Sequence, residues 1–96
     1  MSKKASTSKQ TAVRITVYPR PEILDPQGKA IAAALERLEH KNVVEVRAGK
    51  SFDIVLEGVA AKKIESVAKD MAERLLANPI VEDYTVEILG SVEGER

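Results

Sequence analysis

The sequence predicts an α+β domain of order β-α-β-β-α-β, with two helices on one face of an antiparallel sheet. Four short stretches alternate apolar and polar residues with a period of two. Two longer stretches carry apolar residues at spacings of three and four. Pro, Gly or Asn stands at most of the junctions between them. Strands and helices in this order form the split βαβ arrangement.

Met1 to Thr11 holds Ser, Thr, Lys and Gln without periodicity and reads as a flexible arm (1–11) ahead of a single domain over 12–89. Val13, Ile15 and Val17 alternate with Arg14, Thr16 and Tyr18 in the first strand, and Pro19 and Pro21 end it. Asp25-Pro26 then opens a helix. Proline pushes the residue before it into extended backbone, as an N-cap needs, and its own missing N–H costs nothing at the first helical position. The helix runs from about Pro26 to His40, with Ile31, Ala34, Leu35 and Leu38 as its apolar stripe, and Lys41-Asn42 closes it. Val44, Val46 and Ala48 alternate with Glu45 and Arg47 in a second strand, and Gly49-Lys50 reads as a tight turn. Phe52, Ile54 and Leu56 make a third strand, ended by Gly58. A second helix is expected from about Ala60 to Ala77, with Ile64, Val67, Ala68, Met71 and Leu75 facing inward and Asn78-Pro79 stopping it. Tyr84, Val86 and Ile88 form the last strand, before a polar tail over 90–96.

Composition narrows the function classes. The chain is 44% apolar and 31% charged, as globular domains are, with 15 basic against 15 acidic residues. That balance provides no net field toward nucleic acid or anionic lipid. The absence of cysteine removes disulfides and thiolate chemistry, and a single histidine, His40, is no basis for a histidine metal site. An apolar run such as Ile31 to Leu35 is far too short to span a bilayer, and the reading is cytoplasmic. Only three aromatic residues are present, Tyr18, Phe52 and Tyr84, so Val, Ile, Leu and Ala must build the core, and self-association would bury more surface.

No constellation suggests independent catalysis. Glu82 and Asp83 are adjacent on a strand and point to opposite faces, which suits a solvated pair better than a general acid and base. Phe52 shares a face with Ile54 and Leu56 and is expected in the core, which argues against an RNA-binding sheet. Arg47, Lys50 and Lys62 read as a basic edge, functional or merely solvated. Gly28 is the local rule broken. Inside a first turn it costs roughly 1 kcal/mol against Ala, which suggests that something approaches the backbone closely there. An anion or a partner's acidic group, received by the free N–H groups and Lys29, is one reading; glycine used for packing is the plainer one.

Two segments together resemble one family. Ile23-Leu24-Asp25-Pro26-Gln27-Gly28-Lys29-Ala30 is similar to the first-helix signature of PurS, the small subunit of phosphoribosylformylglycinamidine synthase. Leu75-Leu76-Ala77-Asn78-Pro79-Ile80-Val81-Glu82-Asp83-Tyr84 resembles its second signature, and Val46-Arg47-Ala48-Gly49-Lys50 its hairpin. The similarity covers roughly Val13 to Ile88. Many members carry Leu-Gly where the first helix ends; here Leu38-Glu39 stands instead, and Ile80-Val81 replaces the more usual Val-Ile.

The resemblance implies a ferredoxin-like, PurS-like fold and a subunit without catalytic residues of its own. That subunit bridges a PurL-type synthetase and a PurQ-type glutaminase so that glutamine-derived ammonia reaches the amidination site of purine biosynthesis. It implies ATP and Mg used by the complex with none bound by this chain, and a homo-oligomer, dimer or tetramer. Candidate partner contacts are then Asp25, Gln27, Gly28, Lys29, Arg47, Lys50, Asn78, Pro79, Asp83 and Tyr84. A small ligand-sensing domain, binding an amino acid or nucleotide at a dimer interface, is the competing expectation.

Overall fold

Val13, Ile15 and Val17 are buried completely, while Arg14 between them is exposed, because they occupy the middle strand of a sheet covered on one face. The computed structural model describes residues 9–92. Most of the expected arm and tail lies outside the described residues. The strand, β1 (Gln10–Pro19), pairs antiparallel on one side with β2 (Lys50–Glu57), Val17 opposite Lys50 and Gln10 opposite Glu57. On its other side it pairs antiparallel with β3 (Glu82–Ser91), Pro19 opposite Glu82 and Thr11 opposite Ser91, with a bulge at Ala12/Val13. β1 starts and β3 ends a little beyond the expected strand limits because Gln10, Thr11 and Ser91 still find ladder partners.

One helix covers the sheet. A single 3-10 turn, Ala61–Lys63, leads into α2 (Ile64–Met71), and the coil then widens into a π turn over Ala72–Leu76. Ile64, Ala68, Ala72 and Ala77 are buried against β1, flanked by Phe52, Ile54, Leu56, Tyr84 and Val86 from the neighbouring strands. Three alanines on the contact face let the helical backbone lie close to the sheet. The π turn, closed by the Ala77 N–H on the Ala72 carbonyl at 2.9 Å, inserts one extra residue into the helical repeat. It therefore hands the inward position from Leu75, which is 82% exposed, to Leu76, which packs on the core. A straight α-helical count over 60–77 cannot show that step.

The described residues form three strands, in the order β2-β1-β3, and the expected strand at Val44–Ala48 is not among them. That stretch has no regular structure and lies against α1 (Pro26–Arg37) instead of in the sheet. Its Ala48 N–H, which a ladder would need, donates to the Asp25 carboxylate, and Val44 is 97% exposed. The hairpin expected at Gly49-Lys50 is consequently absent: Gly49 instead delivers the chain into β2. The antiparallel α+β class stands, with the order β-α-β-α-β.

α1 begins as expected, with Asp25 as N-cap and Pro26 first in the helix, but it ends at Arg37. The His40 N–H reaches the Leu35 carbonyl and the Glu39 N–H the Glu36 carbonyl, both at 3.0 Å, the paired bonds of a Schellman stop. That stop requires a left-handed residue, and Glu39 takes φ of 72°. These are the residues, Leu38-Glu39, that the sequence analysis singled out as a departure at the end of the first helix. Glu39→Gly is expected to raise stability by about 1 kcal/mol by relieving the left-handed side chain. A denaturant midpoint equal to or below that of the parent chain would remove Glu39 as a source of strain.

The core draws no residue from α1, and the molecule is elongated, 54 × 29 × 22 Å. Ala34 and Leu35 are half-buried, whereas Ile31 is 38% and Leu38 66% exposed. Of the two helices, α2 is thus the one that covers the sheet face.

Candidate functional site

The C-terminal end of β1 gathers both sequence signatures. Asp25 is the link. Its Oδ1 accepts the Gly28 N–H at 3.0 Å, capping α1, and its Oδ2 accepts the Ala48 N–H at 2.9 Å, pinning the returning segment. The Ala48 N–H, then the Gly28 N–H, hold the Asp25 carboxyl below the usual carboxylate range, with Lys29 and Arg47 adding positive charge nearby.

Gly28 is buried, and the group that approaches it is the chain's own Val46 carbonyl. A Cβ at Gly28 would lie 2.3 Å from that oxygen and 2.4 Å from Asp25 Oδ2. The packing reading of this glycine is therefore the one the geometry supports. Gly49 plays the same part at the other end of the segment, where a Cβ would meet the Val17 carbonyl at 2.4 Å and Tyr18 at 3.0 Å. Residues 46–49 are clamped at both ends, and Arg47 stands between the clamps. Its Nη1 donates to the Pro19 carbonyl at 2.8 Å, and its guanidinium lies 4.6 Å from the centre of the Tyr18 ring, a cation–π contact.

The second signature meets the same strand end through Arg20. The Arg20 backbone N–H donates to the Val81 carbonyl at 3.0 Å, its Nη2 donates to the Pro79 carbonyl, and its Nε lies 3.4 Å from Asp83 Oδ1. Asn78 builds the turn that presents these groups. Its Oδ1 accepts the Ile80 N–H, and its own N–H donates to Glu82 Oε1 at 2.7 Å. Glu82 and Asp83 are thus both engaged in structure. Tyr84 donates to Glu73 Oε2 at 2.6 Å, and that bond, with burial and the carboxylate's charge behind it, pushes the phenol up to about 12.

Three adjoining depressions result. One of about 160 Å³ lies between α1 and residues 44–47 and includes Asp25, Gly28, Lys29 and Arg47. A second, of about 620 Å³, is walled by Tyr18, Tyr84, Glu73 and Asp83. A third, of about 360 Å³, is lined by Thr16, Tyr18, Arg47, Gly49, Lys50 and Ser51. Lys62 follows the far end of β2 and lies away from the Arg47–Lys50 edge. Among the described residues, the side chains of Gln27, Lys29 and Lys50 make no hydrogen bond or ion pair, so they are open to contact. Tyr18 and Arg20, which sequence reasoning passed over, join the three depressions. The Tyr18-Pro19-Arg20-Pro21 run was their only signal, and it reads as a strand end. No group of three or more His, Cys, Asp or Glu among the described residues could hold a metal ion, and no described helix is long and apolar enough to cross a membrane.

Comparison with known proteins places this geometry. The PurS family model, described as phosphoribosylformylglycinamidine (FGAM) synthase, matches residues 12–90. The PurS subunit of Mycobacterium leprae is 44% identical over 72 residues, covering 75% of this chain and 87% of that protein. The Bacillus subtilis PurS structure superposes with a TM-score of 0.69 at 35% identity, covering 81% of this chain and 96% of that one. A chain of the PurLQS structure from Thermotoga maritima superposes with a TM-score of 0.75 at 32% identity, covering 83% and 98%.

Proposed function

The chain belongs to the PurS family, and on that premise we propose that it is the assembly subunit of a phosphoribosylformylglycinamidine synthase. It holds the synthetase and glutaminase subunits in register in the cytoplasm. Its likeness to a chain of the PurLQS assembly supports this reading. So does the local geometry: two signatures some fifty residues apart converge on one strand end, around Arg20, without bringing a nucleophile and a base together.

The chemistry such a subunit serves is proximity. Ammonia released from glutamine at one active site must reach a second before it escapes or is protonated, and fixing two enzymes in one geometry raises its effective concentration there. ATP and magnesium act on the synthetase subunit, and this chain binds neither. Gln27, Lys29, Arg47 and Lys50 supply the partner contacts. Asp25, Gly28, Asn78 and Pro79 hold the contact surface in shape, while Asp83 and Tyr84 line the neighbouring depression. The chain self-associates, and the apolar stripe of α1 left exposed here is the surface available for that purpose.

The test is amidine formation by the matching synthetase and glutaminase, with and without this chain, driven either by glutamine or by free ammonia. Dependence on the chain with glutamine, and indifference to it with ammonia, is the expected result. Equal rates in all four conditions would overturn the reading.

A further inference from the structure

We propose that the depression lined by Thr16, Tyr18, Arg47, Gly49, Lys50 and Ser51 is a socket for an acidic side chain of a partner enzyme subunit. The proposal rests on the assembly reading above and deepens it by naming the partner's chemistry.

The socket has two cations, three hydroxyl-bearing side chains and no carboxylate in its lining. Further along the same face of the sheet, by contrast, the cation Arg14 is already neutralised. Its Nε and Nη2 donate to the two oxygens of Asp53 at 2.7 and 3.1 Å. Arg47 and Lys50 form no ion pair among the described residues, and the carboxylate whose charge Arg47 does feel, Asp25, has its two oxygens on the Gly28 and Ala48 N–H groups. Arg47 is also preorganised. The glycine clamps at Gly28 and Gly49 fix its backbone, the Pro19 carbonyl holds Nη1, and the Tyr18 ring supports one face. The remaining guanidinium N–H groups are thus presented at little entropic cost.

A protein carboxylate fits better than a free anion. The depression is open, so a small ion there would keep its water and gain little. A carboxylate carried on a docking surface brings the cover that excludes water, and the charge-assisted bonds strengthen as it does so. Thr16 and Ser51, paired across β1 and β2, lie on the same sheet face and add hydroxyl donors at its floor.

The experiment reconstitutes the full complex and measures the concentration of this chain that gives half the maximal glutamine-dependent rate, at low and high salt. Lys50→Glu is the decisive variant because the Lys50 side chain has no structural bond to lose. It is expected to raise that concentration at least about tenfold at low salt, with a smaller rise at high salt. Arg47→Ala is expected to act in the same direction, while Lys69→Ala, remote on α2, leaves the value unchanged. A Lys50→Glu value within about twofold of the parent at low salt overturns the proposal. A Lys50→Glu change in the sedimentation of the isolated chain assigns the socket to a second copy and overturns it too. Inorganic phosphate that raises the parent's melting temperature, but not that of Lys50→Glu, makes this a small-anion site and likewise overturns the proposal. If the parent chain itself proves dispensable with glutamine, the assembly reading falls first and carries this one with it.

Discussion

Ile15→Ala is expected to cost about 2–5 kcal/mol of global stability, the range for deleting a large aliphatic side chain from a packed core. Ile15 is fully buried in the middle of the central strand, opposite Phe52 on one side and Val86 on the other. Ala68 and Ala72 of the covering helical segment and Ala77 at its cap pack on that face, and short side chains cannot move far to refill the space. The cost should therefore fall toward the upper part of the range. Denaturant unfolding followed by circular dichroism measures it. A loss under about 1 kcal/mol would mean that the sheet and helix collapse onto the cavity, and that the core is less tightly specified than its burial implies.

Gly28→Ala makes a different kind of damage. In an ordinary first helical turn the change would favour the helix by roughly 1 kcal/mol. Here the new methyl meets a backbone oxygen, Val46 O, and the Asp25 carboxylate that caps the helix. A side-chain end could swing away, but a carbonyl in a segment pinned at Ala48 cannot move without breaking the pin. The clash outweighs the propensity, and a net loss of about 1–3 kcal/mol is expected, as for overpacked interiors. The loss is local. Amide exchange should quicken at Gly28 and Ala48 while the protected amides of β1 stay as they were, because α1 supplies nothing to the core. Unchanged protection at Ala48 would show that the segment has room to spare. Glutamine-dependent activity should fall with the displacement of Arg47.

These two positions also mark what the sequence disclosed and what it withheld. The alternation of Val13, Ile15 and Val17 gave away the central strand, since only a half-covered sheet requires it. Asp25-Pro26 located a helix start to within about a residue or two, and α1 begins at Pro26, because its chemistry is local. Val44–Ala48 misled for the opposite reason. Alternation reports an extended backbone but not which acceptor its N–H groups will meet, and Asp25, 23 residues earlier, takes the one at Ala48. Gly28 announced a close approach without naming the visitor. The shift from Leu75 to Leu76 depended on a wider helical turn that no periodicity shows in advance. Within the candidate site, Lys29, Arg47 and Lys50 were readable as cations, but the bonds from Arg20 to Pro79, Val81 and Asp83 join distant parts of the chain, and short motifs carry no record of such partners.

The central place of β1 has a consequence for the birth of the protein. The strand leaves the ribosome before either neighbour, and one of them, β3, follows only after both helices, so that Thr11 must wait for Ser91. A nascent chain halted before Glu82 has no second ladder with which to enclose Val13, Ile15 and Val17. Assembly of the sheet therefore waits for β3, and with contacts this distant in sequence it belongs to the slower, nonlocal class of folding reactions. Until then an apolar strand stands with one edge open, the condition in which chaperones find their clients.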